Sequence, residues 1–321
     1  MSPARAAKQS ADHIWLNGAV EPWDAATVHV TSIGASGHFN VFEGIKAYAT
    51  ADGQGLNVFC LREHLERLAD SIKITRMSCP WSVDDLFEGT LELLRRNGTR
   101  EDTYIRPVAF FSGLEHADFS LQLHAEPEVC IWTRPFATRL GTERSLAVQI
   151  SSWARITDNQ MPPRIKTMSN YQNNRLAALD ARVNGYDTAI MLGPDGKVSE
   201  GPGACLVIVR DGVAITPPVT AGILESVTRK VVLELLADEM GMPTVERVID
   251  RTELYIADEA FFCGTGWEIL PATSFDRIDV GDGLMGPVTA RVDRLYLDAV
   301  RAAGVGKTEW LTPVTVPVLA R

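Results

Sequence analysis

A single lysine in the stretch PPRIKTMSNYQNN, residues 162–174, opens the chemistry. The chain takes most of its positive charge from arginine and places lysine only at Lys8, Lys46, Lys73, Lys166, Lys197, Lys230 and Lys307. Arginine stays protonated in proteins, whereas a desolvated lysine can release its proton and attack a carbonyl. With Lys166 comes an ordered set: Arg67 in a leucine-striped segment, Tyr171, Glu200 in VSEGPGACL, Thr228 at a helix start and Thr265 in CGTGWEI. Each has an ordinary explanation alone, as a surface charge, a packing ring, a strand-edge carboxylate or a loop hydroxyl. Together they are the parts needed to hold pyridoxal 5′-phosphate. A lysine makes the imine, a carboxylate keeps the pyridine nitrogen protonated so that the ring accepts electrons, and a tyrosine hydroxyl reaches the ring oxygen. An arginine, two threonines and a helix N-terminus can take the phosphate dianion.

The elements that must position these residues alternate irregularly between strand and helix. IWLNGAVEP predicts two short strands joined at Asn17-Gly18, and VFEGIKAY with LNVFC a second pair across ADGQG. Leu61, Leu65, Leu68 and Ile72 recur at helical spacing, and Ser82 with Asp85 opens another helix as a capping box. TYIRPVAFF and EVCIWT read as buried strands. The polar stretch PFATRLGTER reads as a connection between domains, after which SLAVQISSW starts a second part. There a helix over 173–183 stops at Asn184-Gly185. A strand meander follows through TAIML, CLVIV and VAIT, with helices near 226–240 and 288–302 and strands at AFFC and EILPA. Runs of short strands with interspersed helices predict α+β and not a regular β-α-β alternation. The expected organisation is a disordered tail over residues 1–11, a small α+β domain over 12–135, an interdomain loop over 136–148, and a large α+β domain over 149–321 that carries Lys166.

Composition bounds the alternatives. At 321 residues and 45% hydrophobic the chain is long enough for a real core, and its net charge of -10 offers no general basic face to nucleic acid or an anionic membrane. The five cysteines are scattered with no C-x-x-C pair, and no apolar run approaches membrane-spanning length. The expectation is a soluble cytoplasmic protein without metal. GVGKT at 304–308 resembles the end of a phosphate-binding loop, but the first glycine of that motif would fall on Arg301, and a helix precedes it where a strand should. His13, His29, His38, His64, His116 and His124 show no metal-ligand spacing, and no G-x-S-x-G elbow is present.

VFEGIKAY, REHLERL, YIRP, the Lys166 to Tyr171 spacing, NGYDTAIML, VSEGPGACL, LYIADEAFFCGT and GPVTARV resemble the branched-chain aminotransferases, pyridoxal-phosphate enzymes of fold type IV. The resemblance runs in order from about Trp15 to Tyr296. It implies a two-domain α+β fold with the cofactor between the domains and a homodimer whose partner lends a loop to each site. It makes Lys166 the Schiff-base and proton-shuttling lysine, Glu200 the partner of the pyridine nitrogen and Tyr171 that of the ring oxygen. Arg67, Val227, Thr228 and Thr265 become the phosphate cup, with Leu224 against the ring face. The implied reaction moves an amino group from an amino acid or amine to a 2-oxo acid such as 2-oxoglutarate.

On the substrate side the resemblance places Gly37, Phe42, Lys46, Tyr104, Arg106, Arg139, Gly266 and Trp267, and here the chain departs from the family pattern. Gly37 stands where a tyrosine is usual, with His38 and Phe39 after it. Lys46 replaces an arginine, Arg139 an aromatic, and Trp267 a small residue. Tyr104 and Arg106 keep the family's carboxylate-side residues. A desolvated guanidinium beside an aliphatic side chain is costly, so the expectation is a pocket altered from that for Leu, Ile or Val. Two other readings remain: a fold-type IV lyase similar to aminodeoxychorismate lyase, which would release pyruvate, and a non-catalytic homologue that binds a phosphorylated ligand or a partner.

Overall fold

The computed structural model describes residues 11–32, 34, 39–112 and 127–316. The expected disordered tail, apart from Ala11, lies outside the described residues. Two units divide the chain, Thr138–Thr308 forming the second and the segments before and after it the first.

In the first unit, β1 (His13–Leu16) and β2 (Ala19–Pro22) form the expected hairpin. Asn17 and Gly18 both take positive φ, at 49° and 94°, as a tight two-residue turn requires. β3 (Asn40–Phe42), β4 (Ile45–Ala49), β5 (Gly55–Phe59), β6 (Thr103–Phe110) and β7 (Glu128–Pro135) follow. The sheet runs β5-β4-β6-β7-β1-β2, with β3 also on β6. β6 and β7 differ from the expectation of buried strands. Thr103, Ile105, Pro107 and Ala109 are buried while Tyr104, Arg106, Val108 and Phe110 are half-buried, and β7 alternates likewise. A sheet with one open face has this period of two. Pro107 brings no N–H to the ladder. Opposite it the neighbouring strand breaks between β3 and β4, where the Glu43 amide donates to the Pro107 carbonyl at 2.9 Å.

Helix α1 (Leu61–Ile74) buries Leu61, His64, Leu65, Leu68 and Ile72 on one side, the spacing read from the sequence. Helix α2 (Val83–Arg96) starts at the predicted capping box, Ser82 accepting from the Asp85 amide and Asp85 from that of Ser82.

The second unit holds β8 (Leu146–Ile150), β9 (Thr188–Ile190), β10 (Cys205–Arg210), β11 (Val213–Thr216), β12 (Thr244–Glu246), β13 (Glu259–Gly264), β14 (Glu268–Phe275) and β15 (Ile278–Asp279). Their order is β12-β11-β10-β13-β14-β8-β9, with β15 on β14. β12 on β11, β8 on β14 and β9 on β8 are parallel pairs and the rest antiparallel. Leu206, Ile208, Phe262, Phe275, Val148 and Ile190 make the core. Helix α3 (Tyr171–Val183) seats Ala177 and Ala181 with Ala189 and Met191. Helix α4 (Val227–Glu234) runs into a π turn over Leu235–Glu239, and α5 (Pro287–Val300) begins with its proline.

The last strand, β16 (Leu311–Thr315), pairs with β5 in the first unit. The chain thus departs from the expected organisation at both ends of the second unit, which begins at Thr138 and releases the chain after Thr308. Both sheets mix strand and helix in the α+β manner. Among the described residues no helix is long and apolar enough to cross a membrane.

Candidate active site

Lys166 sits half-buried in the loop before α3, and the asparagines of its own motif fix that loop. The Asn170 amide donates to the carbonyls of Pro162 and Ile165, each at 3.0 Å, and the Asn173 amide to that of Ala154 at 2.9 Å. Asn170, at the helix start, caps no backbone N–H. The first residue of α3 is Tyr171, and Lys166 Nζ donates to its hydroxyl at 2.8 Å. A five-residue spacing that straddles a loop and a helix start thus becomes a direct contact.

Glu200 is buried at 5% exposure, and its carboxylate is fully engaged. Arg155 Nη2 donates to one oxygen at 2.6 Å, and the Leu224 amide to the other at 3.2 Å. Burial pushes the Glu200 pKa above the ordinary carboxylate range, and the charges of Arg155 and Lys166 oppose that push. Arginine does not give up its proton, so the Arg155 charge always favours the ionised form of the carboxylate against the push of burial. Arg155 is itself 4% exposed and tied further to the Gly222 carbonyl and to Asn174, whose amide reaches the Pro202 carbonyl. Sequence reasoning missed Arg155 and Asn174. The one signal was an arginine a few residues beyond an apolar strand, which does not announce a partner 45 residues away. Removing one partner of a buried ion pair strands the other charge, at a cost of about 3–5 kcal/mol. Arg155→Met is therefore expected to lower stability by about that amount, read from the urea midpoint, while the conservative Arg155→Lys loses less.

Leu224 is followed closely by α4, where the Ser226 hydroxyl accepts from the Arg229 amide at 3.2 Å. The amides of Val227 and Thr228 stand in the first turn, where a helix presents unpaired N–H groups to an anion. On the other side, Thr265, Gly266 and Trp267 form the turn between β13 and β14, closed by the Trp267 amide on the Gly264 carbonyl at 3.1 Å. A Cβ at Gly266 would meet nothing within 4 Å, so the turn leaves open space there. The sequence places Trp267 in the lining of a substrate pocket. Its indole rests edge-on against Phe262, 5.4 Å between centroids, and over Gly203.

The next residue, Glu268, holds a left-handed φ of 56° and is 1% exposed. Its carboxylate accepts from the Thr138 hydroxyl at 2.7 Å and from the Arg139 amide at 2.8 Å, while Asp293 takes the Gly141 amide at 2.6 Å. The backbone at Arg139 is fixed by these bonds, and its side chain is exposed.

In the first unit, Tyr104 and Arg106 lie on the half-buried face of β6. The Arg106 guanidinium stacks on Phe42 at 4.0 Å, and the Tyr104 hydroxyl occupies the space a Cβ at Gly44 would fill. Lys46 is buried at 2% exposure, with Nζ 3.4 Å from the Ala137 carbonyl. Arg67 is gripped by Glu43, Nε at 2.7 Å and Nη2 at 2.8 Å, and His64 Nδ1 approaches the same carboxylate at 2.9 Å. Arg67 and His64 together hold Glu43 well below the usual carboxylate range against complete burial. His64, set aside for want of metal-ligand spacing, belongs to this network. Gly37 lies outside the described residues, as does His38.

The second unit therefore brings Lys166, Tyr171, Glu200 and Leu224 together, with the α4 start and the 265–267 turn in the same unit. A family model described as amino-transferase class IV matches residues 40–275. A probable branched-chain-amino-acid aminotransferase of Aquifex aeolicus is 37% identical over 307 residues, 95% of this chain and 97% of that one. The branched-chain amino acid aminotransferase of Thermobaculum terrenum in its PLP form superposes with a TM-score of 0.90 at 41% identity, over 95% of this chain and 99% of that one. The branched-chain aminotransferase of the archaeon Thermoproteus uzoniensis with norvaline gives 0.87 at 40% identity, over 94% and 99%.

Proposed function

Since the chain belongs to the amino-transferase class IV family and is a pyridoxal 5′-phosphate-dependent transaminase, we propose that Lys166 is its catalytic lysine and that Arg67, Tyr171, Glu200, Leu224, Val227, Thr228 and Thr265 hold the cofactor. The observation that carries this is the contact of Lys166 Nζ with the Tyr171 hydroxyl in a unit where the Lys166 charge also acts on the buried Glu200 carboxyl. The donor set fits the group: an amine, a phenol, a buried carboxylate paired with arginine, and the first-turn amides of α4. When bound, the cofactor supplies an electrophilic carbon for amines and a ring that takes up electron density as the α-proton leaves.

Lys166 has two tasks, nucleophile and then general base at the substrate's α-carbon, and both need a neutral amine on a fixed tether. Tyr171 orients that amine. Glu200 favours a proton on whatever basic nitrogen faces it, because its charge acts where burial leaves little water to screen it. Leu224 and the α4 start complete a frame in which the cofactor's ring and phosphate ends are held by different elements.

Transamination is tested by incubating the purified protein with amino acids, with and without 2-oxoglutarate, and following both glutamate and pyruvate. Glutamate formed only in the presence of 2-oxoglutarate is the expected result. Pyruvate without an acceptor would mark the lyase, a reading that full-length similarity to transaminases does not favour. The assembly we propose is a cytoplasmic homodimer, checked by light scattering for twice the chain's mass.

The donor preference we propose differs from that of the branched-chain relatives. Gly37, Arg139 and Trp267 change together in a chain that keeps its cofactor residues. The expected result is that a polar or acidic donor gives a higher kcat/KM than Leu, Ile or Val, by roughly tenfold if one charged hydrogen bond decides. Arg139→Ala should narrow the gap. If Leu, Ile and Val are the best donors and Arg139→Ala changes nothing, the altered-pocket reading is wrong.

A further inference from the structure

We propose that Arg229 is a positioning residue for the cofactor's phosphate: its side chain sets where the first turn of α4 stands, and so where the Val227 and Thr228 amides point. This rests on the proposed function, in which that turn takes the phosphate, and every residue involved belongs to the second unit. On local grounds an arginine is a poor choice for this place. It stands at the positive end of the helix, where a cation is unfavourable, and it is buried at 5% exposure. Its guanidinium is taken up by the sheet. Nε donates to the Thr216 hydroxyl at 3.0 Å, and Nη2 donates to the Pro217 carbonyl at 2.9 Å and lies 2.7 Å from the Glu246 carboxylate. Thr216 and Glu246 are cross-strand partners on β11 and β12. The Thr216 hydroxyl donates in turn to the Leu206 carbonyl of β10 at 2.7 Å. One planar fork thus ties the helix start to three strands, and bonds in several directions fix its rotation as well as its distance.

The backbone of the same residue has a part in this. Its amide is the one that Ser226 accepts, so the N–H groups that face an anion ahead of it are those of Val227 and Thr228. β10 also leads to the other end of the site. Cys205, the neighbour of Leu206, donates its thiol to the Glu200 carboxylate at 3.7 Å. The strand that Arg229 grips through Thr216 is therefore the strand that adjoins Glu200. Arg229 serves the phosphate end as Arg155 serves the nitrogen end, each a buried guanidinium that holds a binding group without being one. An apolar side chain would fill the same space at no electrostatic cost. The charge and the fork have a use only if the pose of the turn matters.

The test titrates the full chain, stripped of cofactor, with pyridoxal 5′-phosphate and with pyridoxal, which keeps the aldehyde and the ring nitrogen and lacks the phosphate. Imine absorbance reads binding in the wild type, Arg229→Met, Arg229→Lys and Glu246→Gln. Arg229→Met should raise the Kd for pyridoxal 5′-phosphate about tenfold or more, and that for pyridoxal by less than about threefold. Arg229→Lys, which can keep one of the bonds, should recover part of the loss. Glu246 is half-exposed on an edge strand, so Glu246→Gln keeps the fold and tests the anchor even if Arg229→Met does not fold. It should weaken pyridoxal 5′-phosphate by about threefold and leave pyridoxal unchanged. Equal weakening of both ligands would mean that Arg229 only supports the fold, and unchanged affinity in either variant that the turn needs no anchor; each result overturns the proposal. If borohydride fails to fix cofactor on Lys166 of the wild type, the parent reading falls. If cofactor is fixed there but Arg229→Met keeps the wild-type preference for pyridoxal 5′-phosphate over pyridoxal, Arg229 alone is wrongly assigned.

Discussion

Lys166→Ala is expected to lose both the yellow colour of the wild-type protein and its turnover, with the rate down by at least about four orders of magnitude. One side chain here serves as nucleophile and as base, and removing a positioned base alone costs about 10²- to 10⁴-fold. The contact of its amine with Tyr171 at 2.8 Å, on a loop tied down by Asn170, leaves no second lysine in the motif to substitute. Borohydride reduction of the wild type, followed by peptide mapping, should find the cofactor attached to the peptide that contains Lys166. A variant that transaminates normally without this lysine would remove the assignment.

Glu200→Gln should retain cofactor and lose about 10²- to 10³-fold in turnover, the usual scale for deleting one preorganised electrostatic partner. Glutamine preserves shape and still accepts the Leu224 amide, but it offers no negative charge. Near-normal rates would mean that the ring nitrogen does not depend on this carboxylate. The same substitution has a pH signature in the cofactor-free protein. Burial raises the folded-state pKa of Glu200 above its unfolded value. Its contribution to stability is therefore fully present below the unfolded value and is lost as pH rises through the raised one. Urea midpoints measured across that window should show a downward slope with pH in the wild type that is smaller in Glu200→Gln.

What was legible in the sequence is what local pattern encodes. The hairpin at Asn17-Gly18, the capping box at Ser82, the leucine stripe of α1 and the start of α4 each rest on neighbours within a turn or two. Lys166 and Tyr171 belong to the same class, since five residues suffice to bring them together. Residues that act through distant partners were not legible. Arg155 draws its meaning from Glu200 and Asn174, and Glu268 from Thr138 and Arg139, while Arg67 was picked out without its partner Glu43. Nothing near them in sequence marks these pairings. Apolar residues outnumber polar ones in β6 and β7 and make both strands read as wholly buried. The structure instead leaves every second residue half-buried, Arg106 and Arg134 among them. The packing of Trp267 was not legible either, since it depends on the distant Gly203, which makes room for an indole.

The return of β16 to the edge of β5 also orders the protein's birth on the ribosome. Residues 138–308 are continuous and can complete their sheet as soon as they emerge. The first unit cannot. From the moment Gly55–Phe59 leaves the exit tunnel, one side of that strand has backbone groups without their final partners, and it waits through the synthesis of the whole second unit for Leu311–Thr315 to arrive. An unpaired apolar edge is a template for another chain. Residues 311–315, made only after the whole second unit, are therefore the ones that end this strand's exposure to its neighbours on a polysome, with Trp310 closing on Phe59 as the strand docks.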